Sequence, residues 1–354
     1  MYSLKEFKNI FDPMLEEFLD ERIGEYLQNY SGPLVKDLSL HGKELVMHAG
    51  KRVRPYIAYC MYKASGGEKD EKAIKFFVSL EVFHMFLLIH DDFMDKAKLR
   101  HDTTTAHEFV YNRLKTLGRK GDLSHVADSQ AVLLGDLLFA WTCKLIDLNK
   151  DFPSENLLQV KEIFYKTLDE VILGQMIDID LTTQNEPDLK LIDEKTLLKT
   201  AYYSFIRPMQ MGAYLASLNN GFDKFTKDFG TIIGMTFQIQ DDYLDIMGDP
   251  KLLHKNILED VSQSEPTFFT NYIFEYGKAE EKKELISVFG KKLNDTKRKQ
   301  IKALFIKSRA ICAGEKVIKE NIEKAKKIVE KTNIGNEYKK QIIELVNKLE
   351  KRQS

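Results

Sequence analysis

The sequence predicts an all-α protein, folded as a single domain across residues 1–354. Three observations predict it. Strand signals are scarce, with no spaced series of alternating β-branched runs joined by Asn-Gly or Asp-Gly turns. Apolar residues instead recur at helical spacing, as in Ile318, Ile322, Ala325 and Val329, and in Tyr338, Ile342, Leu345, Val346 and Leu349. No proline follows Pro266, so the last quarter is free to be helical, with breaks expected at Gly314 and Gly335.

Taken in chain order, the N-terminal stretch MYSLKEFKNIFDP is charged and has no apolar signal core, so export is not expected. The greasiest run, Phe76 to Ile89, is 14 residues long and holds Glu81 and His84. It is too short and too polar to span a membrane and reads as a core helix, so no transmembrane segment is expected. Loops are expected at Leu117–Ser124, Asp151–Glu155, Thr183–Asp188 and Gly248–Leu253. None resembles a long flexible linker, and no repeat has solenoid length. Hydrophobic residues make up 43% of the chain, and 53 basic residues nearly cancel 54 acidic ones. That balance fits a soluble globular protein and provides no overall basic field for nucleic acid. Cys60, Cys143 and Cys312 are far apart with no CxxC. They point to a reducing compartment, hence the cytoplasm, and to neither a disulfide framework nor a zinc site.

The greasy run ends in LLIHDDFMDKAKLR, which carries Asp91, Asp92 and Asp95. The pattern returns 150 positions later in FQIQDDYLDIMGD, with Asp241, Asp242 and Asp245. On a helix, residues i and i+4 share a face, so Asp91 meets Asp95 and Asp241 meets Asp245. One DDxxD is expected by chance in roughly one such chain in ten, and reads as a solvated helix end. Two copies, each behind a largely apolar segment, are far harder to dismiss. Clustered carboxylates repel unless a cation sits among them. Magnesium suits the role, because it takes one or two carboxylates per ion and completes its shell with water and substrate phosphates. Apolar helices leading to such a site imply a substrate with a diphosphate head and a hydrocarbon tail. Cations are at hand in Lys51, Arg52 and Arg54 of GKRVRP, in Arg100, and in Lys199 beside Thr200. Taken singly, each is an ordinary surface charge.

With these residues in view, the sequence resembles the trans-isoprenyl diphosphate synthases, the family of farnesyl and geranylgeranyl diphosphate synthases. Six motifs carry the resemblance, in order from about Gly50 to Thr267. They are Gly50-Lys51-Arg52-Val53-Arg54-Pro55, Asp91-Asp92-Phe93-Met94-Asp95, Gly135-Asp136-Leu137-Leu138, Gly174-Gln175-Met176-Ile177-Asp178, Lys199-Thr200-Ala201 and Phe237-Gln238-Ile239-Gln240-Asp241-Asp242. The resemblance implies an isoprenoid-synthase helical bundle around a deep central cavity, usually a homodimer. It implies Asp91, Asp95 and Asp241 as principal magnesium ligands, about three ions in all, with Asp92, Asp242 and Asp245 in support. Arg100, Lys199 and Lys255 match partners of the allylic diphosphate. Lys51, Arg54 and His84 match the isopentenyl diphosphate site, and Gln238, Thr200 and Asp178 match polar supports near the reacting carbon or the metals.

The implied chemistry is ionisation of the allylic diphosphate, attack by the double bond of isopentenyl diphosphate, and loss of a proton that the released diphosphate takes up. Two departures remove positive charge. A second arginine after the first aspartate motif is here His101, followed by Asp102 in place of glycine, and a late Gly-Lys pair is here Ser264-Glu265 upstream of Thr267. Lys351 and Arg352 are candidate replacements. Two other readings compete: a non-catalytic or regulatory subunit, and a class I terpene cyclase. The second complete aspartate motif favours elongation, because a cyclase would leave it idle. Product length falls to Phe86 and Leu87. Phe86 precedes Asp91 by five residues, a rise of about 7.5 Å, and one isoprene unit adds roughly 5 Å. In the family pattern, an aromatic at the fifth position alone goes with twenty carbons, and aromatics at both positions with fifteen. The pair Phe86-Leu87 therefore favours a geranylgeranyl product, with farnesyl next; ordinary core packing of Phe86 is the bland alternative.

Overall fold

Apolar residues spaced three to four apart can be buried together only on a helix, and helices carry most of the chain. The computed structural model describes residues 1–29, 32–48, 50–100, 102–184, 188–250 and 256–350. Two compact units emerge, Met1–Lys161 with Gly212–Asn219, and Glu162–Met211 with Asn220–Ser354.

The first unit contains α1 (Leu4–Asn29), α2 (Pro33–His48), α3 (Val53–Ala64), α4 (Asp70–Met94), α5 (Ala106–Thr116), α6 (Leu123–Asp147) and the start of α7 (Ser154–Leu181). α1 buries Phe7, Phe11, Leu15, Leu19 and Ile23, a stripe at helical spacing. Phe7 packs on Tyr56 and Tyr59 of α3, each at 5.4 Å between ring centroids. α4 and α6 are long and apolar enough to cross a membrane by length and composition. In α4, however, 72% of the most apolar window is buried inside the protein, against 39% in α6. The run 76–89 is thus core. Gly135 lets α6 approach α4 closely, since a Cβ there would fall 2.3 Å from the His90 ring. After α4, Leu99–Arg100 and Thr103–Thr104 form a two-residue antiparallel ribbon that strand patterning is too short to reveal.

Arg52 ties this unit together. Its backbone is left-handed, at φ 51°, and its guanidinium is buried. It donates to Asp12 of α1 at 2.8 Å, to Glu81 of α4 at 2.6 Å, and to the carbonyls of Val46 and Met47 in the last turn of α2, each at 3.0 Å. A cation there also complements the negative end of α2.

The second unit holds the rest of α7, then α8 (Leu189–Thr196), a π-helical segment (Leu197–Ile206) and α9 (Arg207–Ala216), whose second half belongs to the first unit. There follow α10 (Asp223–Met247), α11 (Glu259–Ser262), α12 (Phe268–Tyr276), α13 (Ala279–Ile286), α14 (Asp295–Lys307), α15 (Ala310–Lys331) and α16 (Asn336–Glu350). α10 packs on the π-helical segment and on α15. The first contact depends on Gly234, where a Cβ would come within 2.4 Å of Ala201 Cα. The periodic residues Ile322, Ala325, Val329, Ile342, Leu345, Val346 and Leu349 are all buried. The chain breaks at Gly335 as expected, but Gly314 lies inside α15. That glycine serves packing and does not interrupt the helix, because a Cβ would strike the Phe269 ring at 2.3 Å.

Removing Arg52 would leave Glu81 buried and unpaired. Arg52→Met is therefore expected to cost about 3–5 kcal/mol in urea denaturation, and Arg52→Met/Glu81→Leu to recover most of it. An unchanged midpoint in the single variant would show that the buried pair does not anchor the unit.

Candidate active site

Both aspartate clusters end apolar helices. Asp91 and Asp92 occupy the last turn of α4 and Asp95 is its C-cap, while Asp241, Asp242 and Asp245 lie in the closing turns of α10. A helix C-terminus is already negative, so carboxylates gathered there call for a cation. Within each cluster the members divide by depth. Asp91 is half-buried and Asp95 exposed, with Asp92 buried between them; Asp241 is exposed, whereas Asp242 and Asp245 are buried.

In the first unit, the short ribbon brings Arg100 back onto Asp92. The guanidinium holds that carboxylate by Nε at 2.8 and 2.9 Å and by Nη2 at 2.7 Å, with Asp91 at 3.8 Å. Burial raises the Asp92 pKa more than Arg100 lowers it. Further back on α4, His84 Nε2 lies 3.1 Å from Arg54 Nη1. Lys51 is exposed just before α3, and the preceding Gly50 carbonyl accepts from Lys8 at 2.8 Å. Phe86 is buried, with its ring centroid 4.8 Å from His90 and 5.2 Å from Phe139; Leu87 beside it is half-buried.

In the second unit, polar groups connect in series. Thr200 Oγ1 donates to Gln238 Oε1 at 2.8 Å, and Gln238 Nε2 donates to Asp242 Oδ1 at 2.9 Å. The backbone N–H of Phe268 reaches Asp242 Oδ2 at 3.3 Å. Burial, opposed by Gln238 and by the charge of Lys195, pushes the Asp242 carboxyl up to about 7. Asp245 turns inward: its side chain accepts from the N–H groups of Glu259 and Asp260 at 3.2 and 3.3 Å, which ties the first turn of α11 to α10. On α7, Asp178 is clasped by two lysines, Lys199 Nζ at 2.6 Å and Lys195 Nζ at 2.9 Å. Burial works against ionisation of Asp178, but the two ammonium groups outweigh it and hold its pKa below the usual value. Sequence reasoning missed Lys195; its one signal was the i,i+4 spacing to Lys199.

Asp91, Asp95 and Asp241 are the cluster members within reach of solvent, and so of a metal. Among the described residues, no three His, Cys, Asp or Glu side chains gather tightly enough to hold an ion by themselves. Zinc wants such a closed set, whereas magnesium completes its shell with water and phosphate. Lys255, His101, Lys351 and Arg352 lie outside the described residues.

The Asp242 environment predicts a pH effect on stability. Between the ordinary carboxylate value of 3.8 and about 7, the folded chain keeps a proton that the unfolded chain has lost. Stability of the metal-free protein should therefore fall as pH rises through that window. Urea denaturation at pH values spanning the window should show a shallower fall in Asp242→Asn than in the parent. Parallel curves would contradict a carboxyl held protonated by burial.

The polyprenyl synthetase family matches the chain over residues 36–334. The geranylgeranyl diphosphate synthase of Sulfolobus acidocaldarius is 26% identical over 343 residues, covering 94% of this chain and 97% of that protein. A short chain isoprenyl diphosphate synthase of Methanocaldococcus jannaschii is 29% identical, covering 80% and 79%. The crystal structure of a Corynebacterium glutamicum geranylgeranyl pyrophosphate synthase, complexed with isoprenyl diphosphate and magnesium, superposes with a TM-score of 0.93. That pair is 25% identical, over 99% of this chain and 100% of the other. Relatives' names run from farnesyl to octaprenyl synthases, so likeness alone assigns no product length. The family match extends through residues of both units, and the chain belongs to the polyprenyl synthetase family.

Proposed function

We propose that this trans-prenyl diphosphate synthase family member condenses isopentenyl diphosphate with an allylic diphosphate to a short-chain all-trans product, geranylgeranyl diphosphate ahead of farnesyl diphosphate. The observation that carries the reading is the division of both aspartate clusters into solvent-facing carboxylates backed by buried, hydrogen-bonded ones. Asp91, Asp95 and Asp241 would hold magnesium, with Asp92, Asp242 and Asp245 fixing the helix ends behind them and Asp178 in support. Bound magnesium would stabilise the charge that builds on a departing diphosphate. The chain's own cations do the same work, Arg100, Lys199 and Lys255 toward the allylic diphosphate and Lys51, Arg54 and His84 toward isopentenyl diphosphate. The series from Thr200 through Gln238 to Asp242 holds a polar edge in fixed orientation, which limits reorganisation when charge develops. Both units then form one synthase domain, which the family match through both supports.

We also propose a homodimer working in the cytoplasm. Leu133 on α6 is 57% exposed, and Leu173 and Met176 on α7 are 52% and 62% exposed. Apolar side chains left to water on two long helices are what a second copy would cover. The cytoplasmic assignment rests on three unpaired thiols, one of them on the surface.

Labelled isopentenyl diphosphate, supplied with an allylic diphosphate and magnesium, should enter a longer product. No incorporation would favour a terpene cyclase or a non-catalytic subunit instead. Asp91→Ala or Asp241→Ala should lower turnover by a few orders of magnitude, since each removes several kcal/mol of charge stabilisation. Near-normal turnover in either would end the two-cluster scheme. Phe86 is taken as the floor of the chain-length pocket, so Phe86→Ala should shift products longer and Leu87→Phe should shorten them. If Phe86 only fills the core, Phe86→Ala costs about 3–5 kcal/mol of stability and leaves product length alone.

A further inference from the structure

Asp178 holds two ammonium groups, and the two are not alike. Lys199 Nζ sits 2.6 Å from Oδ2 with its side chain 29% exposed, while Lys195 Nζ sits 2.9 Å from Oδ1 with its side chain 11% exposed. One carboxylate therefore has an outer lysine that solvent reaches and an inner one that solvent hardly touches. A buried carboxylate that loses its last cation becomes a costly unpaired charge. Were Lys199 the sole partner, any anion drawing it away would have to bear that penalty.

We propose that Lys195 is a positioning residue: it keeps Asp178 paired, so that Lys199 can leave that carboxylate for a diphosphate. The inference rests on the reading that Lys199 serves the allylic diphosphate. Lys195 belongs to the last turn of α8 and Lys199 to the π-helical segment that continues it. Four positions apart, the two lysines lie on one helix face and both reach one carboxylate on α7. Glu265 and Asp242 supply the inner lysine with further negative surroundings. Burial alone would push its ammonium toward losing a proton, and Asp178, Glu265 and Asp242 together outweigh that and hold its pKa above the ordinary lysine value.

The test uses inorganic pyrophosphate with magnesium, titrated into the full-length protein by calorimetry, so that binding is read without turnover. Lys195→Met should weaken pyrophosphate binding at least about tenfold, because the anion must then strip Asp178 of its only lysine. Lys195→Arg should keep most of the affinity, since it retains the charge. Lys195→Met/Asp178→Asn should bind better than Lys195→Met alone, since Asp178 then no longer holds Lys199 as an ion pair. In steady-state assays, Lys195→Met should raise the KM for the allylic diphosphate and leave that for isopentenyl diphosphate near the parent value. Circular dichroism establishes that each variant is folded. Lys199→Met is the control for the underlying reading, and normal pyrophosphate binding in it would overturn both that reading and this proposal. Weakened binding in Lys199→Met with parent-like binding in Lys195→Met, or a double variant no better than the single, would overturn the proposal alone.

Discussion

Carboxylates crowded at the C-terminal end of an apolar helix are held against their own repulsion. Two unit charges about 6 Å apart repel by about 3 kcal/mol at an effective dielectric of about 20, and the helix dipole adds to that. Both clusters use the same remedy. One or two members are drawn inward and satisfied by hydrogen bonds or a cation, which leaves the others facing solvent. Arg100 does this for Asp92, and Gln238 with the Phe268 amide does it for Asp242. Asp245 goes further and becomes a structural tie, taking two backbone amides at the start of α11. Much of the local structure around each cluster answers this single electrostatic demand.

Close helix contacts make those bonds reachable. Gly135 brings α6 against the last turn of α4, beside the residues that precede Asp91. Gly234 brings α10 against Ala201, which puts Thr200 within hydrogen-bond reach of Gln238. A methyl group at either glycine would collide with the facing helix. The glycines in these segments thus act through packing distance, and the electrostatics of the site inherit their precision. From adjacent positions on the π-helical segment, Thr200 reaches α10 and Lys199 reaches α7.

Charge in the second unit is also distributed more evenly than a reading of motifs conveys. Glu265 and Ser264 stand where the resembling pattern carries Gly-Lys, and taken by themselves they read as a lost cation. The buried ammonium of Lys195 lies in the field of Glu265, Asp178 and Asp242. The sum of charge around Asp178 is thus set by a residue from a different helix.

Much was legible in the chain itself. Helical periodicity and the lack of alternation determine an all-α protein, because a face repeating every 3.6 residues can be buried only as a helix. The DDxxD spacing determines which carboxylates share a helix end, because i and i+4 are neighbours whatever surrounds them. Only the tertiary structure decided which members of each cluster are buried, because burial depends on what packs against the helix end. Gly314 illustrates the same limit: as a local signal it reads as a break, but the Phe269 ring from a distant helix makes it a packing site inside α15. The Lys195–Asp178 pair and the anchoring of Arg52 between Asp12 and Glu81 join residues 17 to 40 positions apart, and no spacing rule connects them. Local geometry is written in neighbours along the chain; the pairing of buried charges is settled only when separate helices meet.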